Sequence, residues 1–269
     1  MSAIITLTTD FGLIDGYVAA VKGVILSINP QSTLIDITHQ IPPQNINRAA
    51  FVLSTVCNYF PPQTVHLVII DPGVGTKRRA VILKTPQYYF IAPDNGVLSY
   101  IIRKFSAKLD INSDLSAVAV TNPKYWRSPV SHTFHGRDIF APVAAYLSLG
   151  VSMKEFGEPL SSINILPLAE PHIASDGSLV GKVIHIDTFG NLITNIREID
   201  LREGEPTIFI GNQTIKGLSK TYAEGGKLVA LIGSNGYLEI SLREDNAAAY
   251  LNAQIGSEVA IKQKTNQQF

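Results

Sequence analysis

The chain has 269 residues, 45% of them hydrophobic and only 16% charged, which is enough apolar material for a sizeable core and too much for a disordered segment. Its 22 basic side chains match its 22 acidic ones, a balance that excludes the strong electrostatic footprint of a nucleic-acid or anionic-membrane binder. A single cysteine, Cys57, excludes an intramolecular disulfide framework and fits a reducing compartment.

The first half alternates strand-like and helix-like segments. Residues 3–9, with Ile4-Ile5-Thr6-Leu7-Thr8, read as a strand, and residues 15–28 as a helix ending at Asn29-Pro30. A strand at 33–38 follows. Pro42-Pro43 then open a helix from about Asn45 to Tyr59, closed by Pro61-Pro62, and 64–70 form a third strand rich in β-branched residues. A hairpin around 80–92, a helix at about 95–105 and a helix from Asp138 to Leu149 complete this half. Near-continuous apolar strands between helices predict a mainly parallel sheet covered by helices. From about Leu166 the chain changes character, through Pro167, Glu170-Pro171 and Ser175-Asp176-Gly177. Short strands then recur at 178–187, 191–196, 206–211, 227–233, 237–242 and 256–262, the rhythm of a small antiparallel β-barrel. The expected organisation is α/β: an N-terminal α/β domain at 1–166, a linker at 167–177 and a C-terminal β-barrel domain at 178–269.

The N-terminus lacks the basic start, long apolar run and cleavage site of a secretory signal. No window reaches the roughly 18 consecutive apolar residues of a membrane helix. A cytoplasmic protein is expected, and the sequon Asn212-Gln213-Thr214 reads as chance. Cys57 and Trp126 read as packing residues.

In a parallel α/β sheet, ligands bind beyond the carboxyl ends of the strands. Polar residues gather at those ends: Thr9-Asp10-Phe11-Gly12 with Asp15-Gly16, Asp71-Pro72-Gly73-Val74-Gly75-Thr76-Lys77-Arg78-Arg79, and Pro93-Asp94-Asn95-Gly96. Thr133-Phe134-His135-Gly136-Arg137-Asp138 opens a helix, Asp187-Thr188-Phe189-Gly190-Asn191 joins two strands, and Gly233-Ser234-Asn235-Gly236 is a hairpin turn. Taken singly, each is ordinary turn or cap chemistry, and Asp71 with Arg78 reads as a surface ion pair worth little. Gly73-Val74-Gly75 lacks the third glycine of a dinucleotide fingerprint and the Lys-Ser/Thr of a P-loop. Asp10-Phe11-Gly12 and His135-Gly136-Arg137-Asp138 imitate kinase motifs in the wrong order. No cysteine/histidine cluster has zinc spacing.

Together, in this order and with Asp36-Ile37-Thr38-His39, these segments resemble the S-adenosylmethionine hydrolases (adenosine-forming), also called S-adenosylmethionine hydroxide adenosyltransferases, relatives of fluorinase and chlorinase. The resemblance spans nearly the whole chain. It implies a small-molecule substrate, S-adenosyl-L-methionine, and water or hydroxide attack at ribose C5′ that yields adenosine and methionine. It implies no cofactor and no metal, the substrate being activated by its own sulfonium charge. It further implies a homotrimer with active sites at subunit interfaces. The family's water-activating triad maps onto Asp71, Arg78 and His135. Asp10 matches the carboxylate on the ribose hydroxyls, Asp187 the group facing the methionine ammonium, and Asp15 a second candidate for it. Phe189 and Asn191 match the residues around adenine, and Ser234 one that holds the methionine carboxylate.

The fluorinase has tyrosines where Asp71 and His135 stand, a serine at Gly136 and a threonine at Val74, and the halogenase arginine after the serine is Asn235 here. A carboxylate repels a halide but accepts a hydrogen bond from water, so water is the expected nucleophile. The alternatives are a halide-using enzyme and a non-catalytic sensor of adenosine or S-adenosylmethionine.

Overall fold

The computed structural model describes residues 2–106, 114–202 and 204–263. The chain divides into two compact units, Met1–Pro167 and Leu168–Phe269. No helix among the described residues is long and apolar enough to cross a membrane.

The first unit runs β1 (Ile4–Thr9), α1 (Tyr17–Ile28), β2 (Thr33–Thr38), α2 (Ile46–Val56), β3 (Val65–Ile69), β4 (Ala80–Lys84), β5 (Tyr89–Pro93), α3 (Ser99–Phe105), β6 (Ser116–Ala119), α4 (Ala141–Ser148) and β7 (Pro159–Leu160). Its seven strands lie in the order β2-β1-β3-β5-β4-β6-β7. The β2-β1-β3-β5 side is parallel and the β5-β4-β6-β7 side antiparallel. The α/β sheet covered by helices is as expected. Its parallel character ends where the short β4–β5 connection turns the chain straight back. Both faces are buried. Val65, Leu67 and Ile69 of β3 face a core built with α1 and α4, while Val68 and Ile70 face one built with α2 and α3. Burial on two faces explains why β3 reads as one continuous apolar run. α2 is capped at Asn45, whose side chain accepts from Arg48 N at 2.9 Å.

A histidine sits inside this core. His66 is fully buried, its Nδ1 2.8 Å from Thr6 Oγ1 and its ring stacked 4.9 Å from that of Phe90. Burial pulls its pKa down to about 4, so the ring is neutral.

The second unit contains β8 (His172–Ile173), β9 (Leu179–Ile186), β10 (Leu192–Arg197), β11 (Thr207–Ile210), β12 (Gln213–Lys216), β13 (Leu228–Ile232), β14 (Tyr237–Leu242), α5 (Ala247–Tyr250) and β15 (Glu258–Lys262). The strands form one antiparallel sheet, β12-β11-β15-β9-β10-β14-β13, with β8 added against β9. β12 and β13, at the two ends of that order, come into contact, so the sheet curls into a nearly closed barrel. Val183, Leu192, Ile196, Ile208, Ile240 and Val259 fill its interior. β9 crosses β10 closely at Gly181, where a Cβ would lie 2.5 Å from Asn195 Oδ1 and Ile196 Cγ1. The turn-rich stretch 167–177 contributes β8 to this unit.

Candidate active site

The first unit's site begins at two neighbouring strand ends. β1 and β3 are parallel, with Thr9 opposite Ile69, so Asp10 and Asp71 emerge from adjacent strands. After Asp71 the chain folds tightly, with Val74 N bonding Asp71 O at 3.2 Å and Thr76 N bonding Gly73 O at 3.1 Å. Gly75 has φ +76, and a Cβ there would collide with the His132 carbonyl. The turn returns Arg78 to Asp71. Arg78 Nε donates to Asp71 Oδ1 at 2.7 Å and Nη2 donates to Oδ2. The same Nη2 donates to His135 Nδ1 at 2.9 Å. The side chains of Asp71 and Arg78 are only 7% and 12% exposed, so this is a largely buried bidentate pair rather than a solvent-screened surface contact. Phe140 supports the guanidinium, its ring centre 5.2 Å from Cζ.

His135 precedes a π-helical turn, Gly136–Phe140, where sequence reading expects plain α-helix from Asp138. Guanidinium nitrogens only donate, so His135 Nδ1 must accept, which makes the ring a neutral tautomer with its proton on Nε2. Burial and the Arg78 charge hold the imidazole pKa below its ordinary value, in agreement with that tautomer. The loop before it is anchored by Asp138, fully buried and gripped by Arg137 Nε at 2.7 Å, Arg137 Nη2 at 2.8 Å and Ser131 N at 2.9 Å. Burial pushes that carboxyl up, but Arg137 and the Ser131 N–H outweigh it and hold it ionised.

Asp10 is held from another direction. Gln44 takes a left-handed backbone, φ +64, and its N–H reaches Asp10 Oδ2 at 2.7 Å. Behind Asp10, buried His39 bonds Thr9 Oγ1 at 2.8 Å, and Thr9 Oγ1 accepts from Phe11 N at 3.3 Å. His39 Nε2 lies 3.0 Å from Asp36 Oδ1, in contact but off hydrogen-bond direction. Asp10, Phe11, Gln44, Asp71, Val74, Phe134 and His135 line an open cavity of about 280 Å³ that has no lysine or arginine in its lining.

The second unit has its own cavity, about 550 Å³, lined by Asp187, Phe189, Asn191, Tyr222 and the segment Leu242–Asp245. Asp187 organises its own loop: Oδ1 accepts from Phe189 N and Asn191 N, and Oδ2 from Asn191 Nδ2, all at 2.9 Å. This arrangement leaves Phe189 78% exposed at the loop tip. Tyr222 donates to Glu239 Oε1 at 2.8 Å, and burial together with that carboxylate pushes the phenol up to about 12. Asp15 and Ser234 are exposed and line neither cavity. Sequence reading missed Gln44, whose contribution is a backbone N–H, as well as Tyr222 and Glu239, which carry no motif. Among the described residues no three histidine, cysteine or carboxylate side chains gather as a metal site would need.

The family model of the SAM hydroxide adenosyltransferase N-terminal domain matches residues 5–157, and that of its C-terminal domain matches 181–260. The chain belongs to the SAM hydroxide adenosyltransferase family. Within that family it is 37% identical to a protein from Methanocaldococcus jannaschii named (R)-S-adenosyl-L-methionine hydrolase, over 96% of this chain and 95% of the relative. It is 42% identical to a Salinispora tropica protein of the same name over 70% of each. Fluorinases are more distant, as with 29% identity for that of Nocardia brasiliensis over 96% of both chains. A crystal structure of a conserved protein from Thermotoga maritima superposes with a TM-score of 0.85 at 35% identity, covering 97% of this chain and all of that one.

Proposed function

We propose that the protein hydrolyses S-adenosyl-L-methionine to adenosine and L-methionine, with water attacking ribose C5′ through the combined action of Asp71, Arg78 and His135. The hydrogen-bonded contact of these three side chains, with His135 brought in from 57 residues beyond Arg78, carries the reading. A C5′–O bond forms and the C5′–S bond breaks. Sulfur keeps the electron pair and leaves as a neutral thioether, so no general acid is required. The water loses a proton.

The hydrogen-bond inventory divides the roles. Arg78 occupies one lone pair on each Asp71 oxygen, leaving each oxygen another with which to take a proton from water. His135 Nδ1 is occupied by Arg78, so its free Nε2–H can donate to the water oxygen and orient it. Arg78 holds both partners in place beside an incoming nucleophile. Asp10, fixed by Gln44, is placed to accept from the ribose hydroxyls. Asp10 and Asp71 together also suit a substrate with a sulfonium charge.

The same cavity disfavours the halogenase alternative. A halide 4 Å from a carboxylate, at an effective dielectric of 20, costs about 4 kcal/mol before any offset from Arg78. That is nearly three orders of magnitude in occupancy, and no cation lines the cavity to offset it directly.

The relatives' names specify the (R) sulfonium. Sulfur bearing three different carbon groups is a stereocentre, and we take the (R) form as the preferred substrate. Phe189 and Asn191 would meet the purine and Asp187 the ammonium, with Asp15 and Ser234 assigned to the methionine end by resemblance alone. We further propose a cytoplasmic homotrimer with active sites at subunit interfaces and no cofactor. The bare, 78% exposed Phe189 supports a partner surface in the assembly.

The test is incubation of the purified protein with each sulfonium epimer in oxygen-18 water. Adenosine carrying the label and unlabelled methionine, formed faster from the (R) epimer, are expected. Tight adenosine binding without turnover of either epimer would instead mark a sensor.

A further inference from the structure

The turn that carries Asp71 and Arg78 leaves β3 and enters β4, two strands that are not neighbours. β5 lies between them in the sheet, parallel to β3 and antiparallel to β4. The turn therefore passes over the carboxyl end of β5, where Pro93-Asp94-Asn95-Gly96 stands. The chemistry derived above uses none of these four residues, and neither Asp94 nor Asn95 lines the Asp10–Asp71 cavity.

Two side chains there each hold one foot of the turn. Asn95 Nδ2 donates to the carbonyl of Ile70, the residue before Asp71, at 2.8 Å. Asp94 Oδ2 accepts from Nε of Arg79, the residue after Arg78, at 2.8 Å, and Asp94 N donates to Arg79 O at 2.9 Å. Ordinary turn chemistry accounts for other atoms of the pair. Asn95 Oδ1 accepts from Val97 N, two residues on, at 3.2 Å. Asp94 Oδ1 accepts from Asn164 N at 2.7 Å. The Asn95 amide nitrogen instead reaches across to the end of β3. The Asp94 side chain is 1% exposed and its Arg79 partner 42%. A carboxylate buried that deeply needs a cation beside it, so the pairing ties Arg79 to the end of β5.

We propose that Asp94 and Asn95 are positioning residues for the water-activating group. They fix the two feet of the turn and so set how the Asp71 carboxylate meets the Arg78 guanidinium and, through it, His135. Neither touches the reacting atoms. Misplacing reacting groups by about 1 Å is enough to lose on the order of 100-fold in rate.

Asp94→Asn removes the charge facing Arg79 and keeps an acceptor for Asn164 N. Asn95→Ser keeps an acceptor for Val97 N but is too short to reach Ile70 O. Thr85→Ala is the control, removing the 2.9 Å bond from Tyr88 N to Thr85 Oγ1 at the opposite end of the β4–β5 hairpin. Single-turnover hydrolysis of S-adenosyl-L-methionine should slow about 10–100-fold in Asp94→Asn and in Asn95→Ser, with substrate Kd within about threefold of wild type. Thr85→Ala should keep the wild-type rate whatever it loses in Tm. The two variants release opposite feet, so one suffices where the other does not fold. These rates rest on the hydrolase reading, whereas NMR titration of the His135 imidazole does not. Burial, the Arg78 charge and His132 hold its pKa down, while Asp71 and Asp138 pull it up. A displaced Arg78 lets the pKa rise, so an upward shift is expected in both variants and none in Thr85→Ala. A wild-type protein without turnover would sink the hydrolase reading and leave the titration to decide. An unchanged His135 titration in both variants would overturn the proposal. So would an equal rate loss in Thr85→Ala, or a rate loss matched by a loss of substrate binding.

Discussion

The two units treat their polar residues in opposite ways. In the first, Asp71 and Arg78 meet across one turn and His135 joins them from 57 residues beyond Arg78, so the group is completed by tertiary structure. In the second, Asp187, Phe189 and Asn191 belong to one five-residue loop that satisfies itself, and its aromatic tip is left bare. The contrast suits a division of labour. Chemistry needs groups held to within a fraction of an ångström, whereas a flat purine needs a presented aromatic surface and tolerates a locally organised loop.

Three changes test that division, in descending order of effect. Arg78→Ala removes the shared donor of the triad and should lower kcat by roughly 10²–10⁴-fold, the span of acid–base and electrostatic contributions. Steady-state kinetics, with substrate Kd determined by calorimetry, would show whether binding survives. A loss confined to KM would break the contrast.

The rigidity of the first unit also has a pH signature. His66 has a folded-state pKa of about 4 against 6.5 for the free side chain. The folded form therefore binds fewer protons, and its stability is full above 6.5 and falls as pH drops. Between pH 7 and pH 5 this linkage costs about 2 kcal/mol. Urea unfolding at the two pH values should show that difference, and His66→Gln should shrink it.

The smallest effect belongs to the second unit. Gly190 has φ +85, and a Cβ there would collide with the Asn246 side chain. Gly190→Ala should distort the Asp187 loop and raise KM several-fold, an effect of about 1 kcal/mol, with kcat nearly unchanged. A fall in kcat as large as that of Arg78→Ala would place the loop in the chemistry and erase the distinction between the units.

Much of this was legible in the sequence, for identifiable reasons. β1, β3, β9 and β10 announce themselves through apolar periodicity between turn residues. β12 escaped because three of its four residues are polar and it closes the barrel at an edge, with an exposed, half-hydrated pattern. β7 and β8 are two residues each, too short to carry a period. The π-helical turn at Gly136–Phe140 could not be told from α-helix, since the two share a composition. Asp71 and Arg78 share one motif, but His135 stands 57 residues beyond Arg78, and only its motif, not any spacing, pointed to a common site. The tautomer of His135 and the clamp on Asp10 are properties of atoms, set by which nitrogen meets Arg78 and by the left-handed backbone of Gln44. The loop-organising duty of Asp187 was hidden for the same reason, because a motif names a residue without stating where its oxygens are already engaged.

The central claim is that the Asp71 carboxylate takes the proton of the attacking water. Asp71→Asn keeps the shape and one acceptor toward Arg78 but removes the base. Single-turnover hydrolysis by this variant, at saturating substrate and pH 7, should be slowed at least about 100-fold while substrate Kd stays within about threefold of wild type. Retention of the wild-type rate by a correctly folded Asp71→Asn protein would contradict the account.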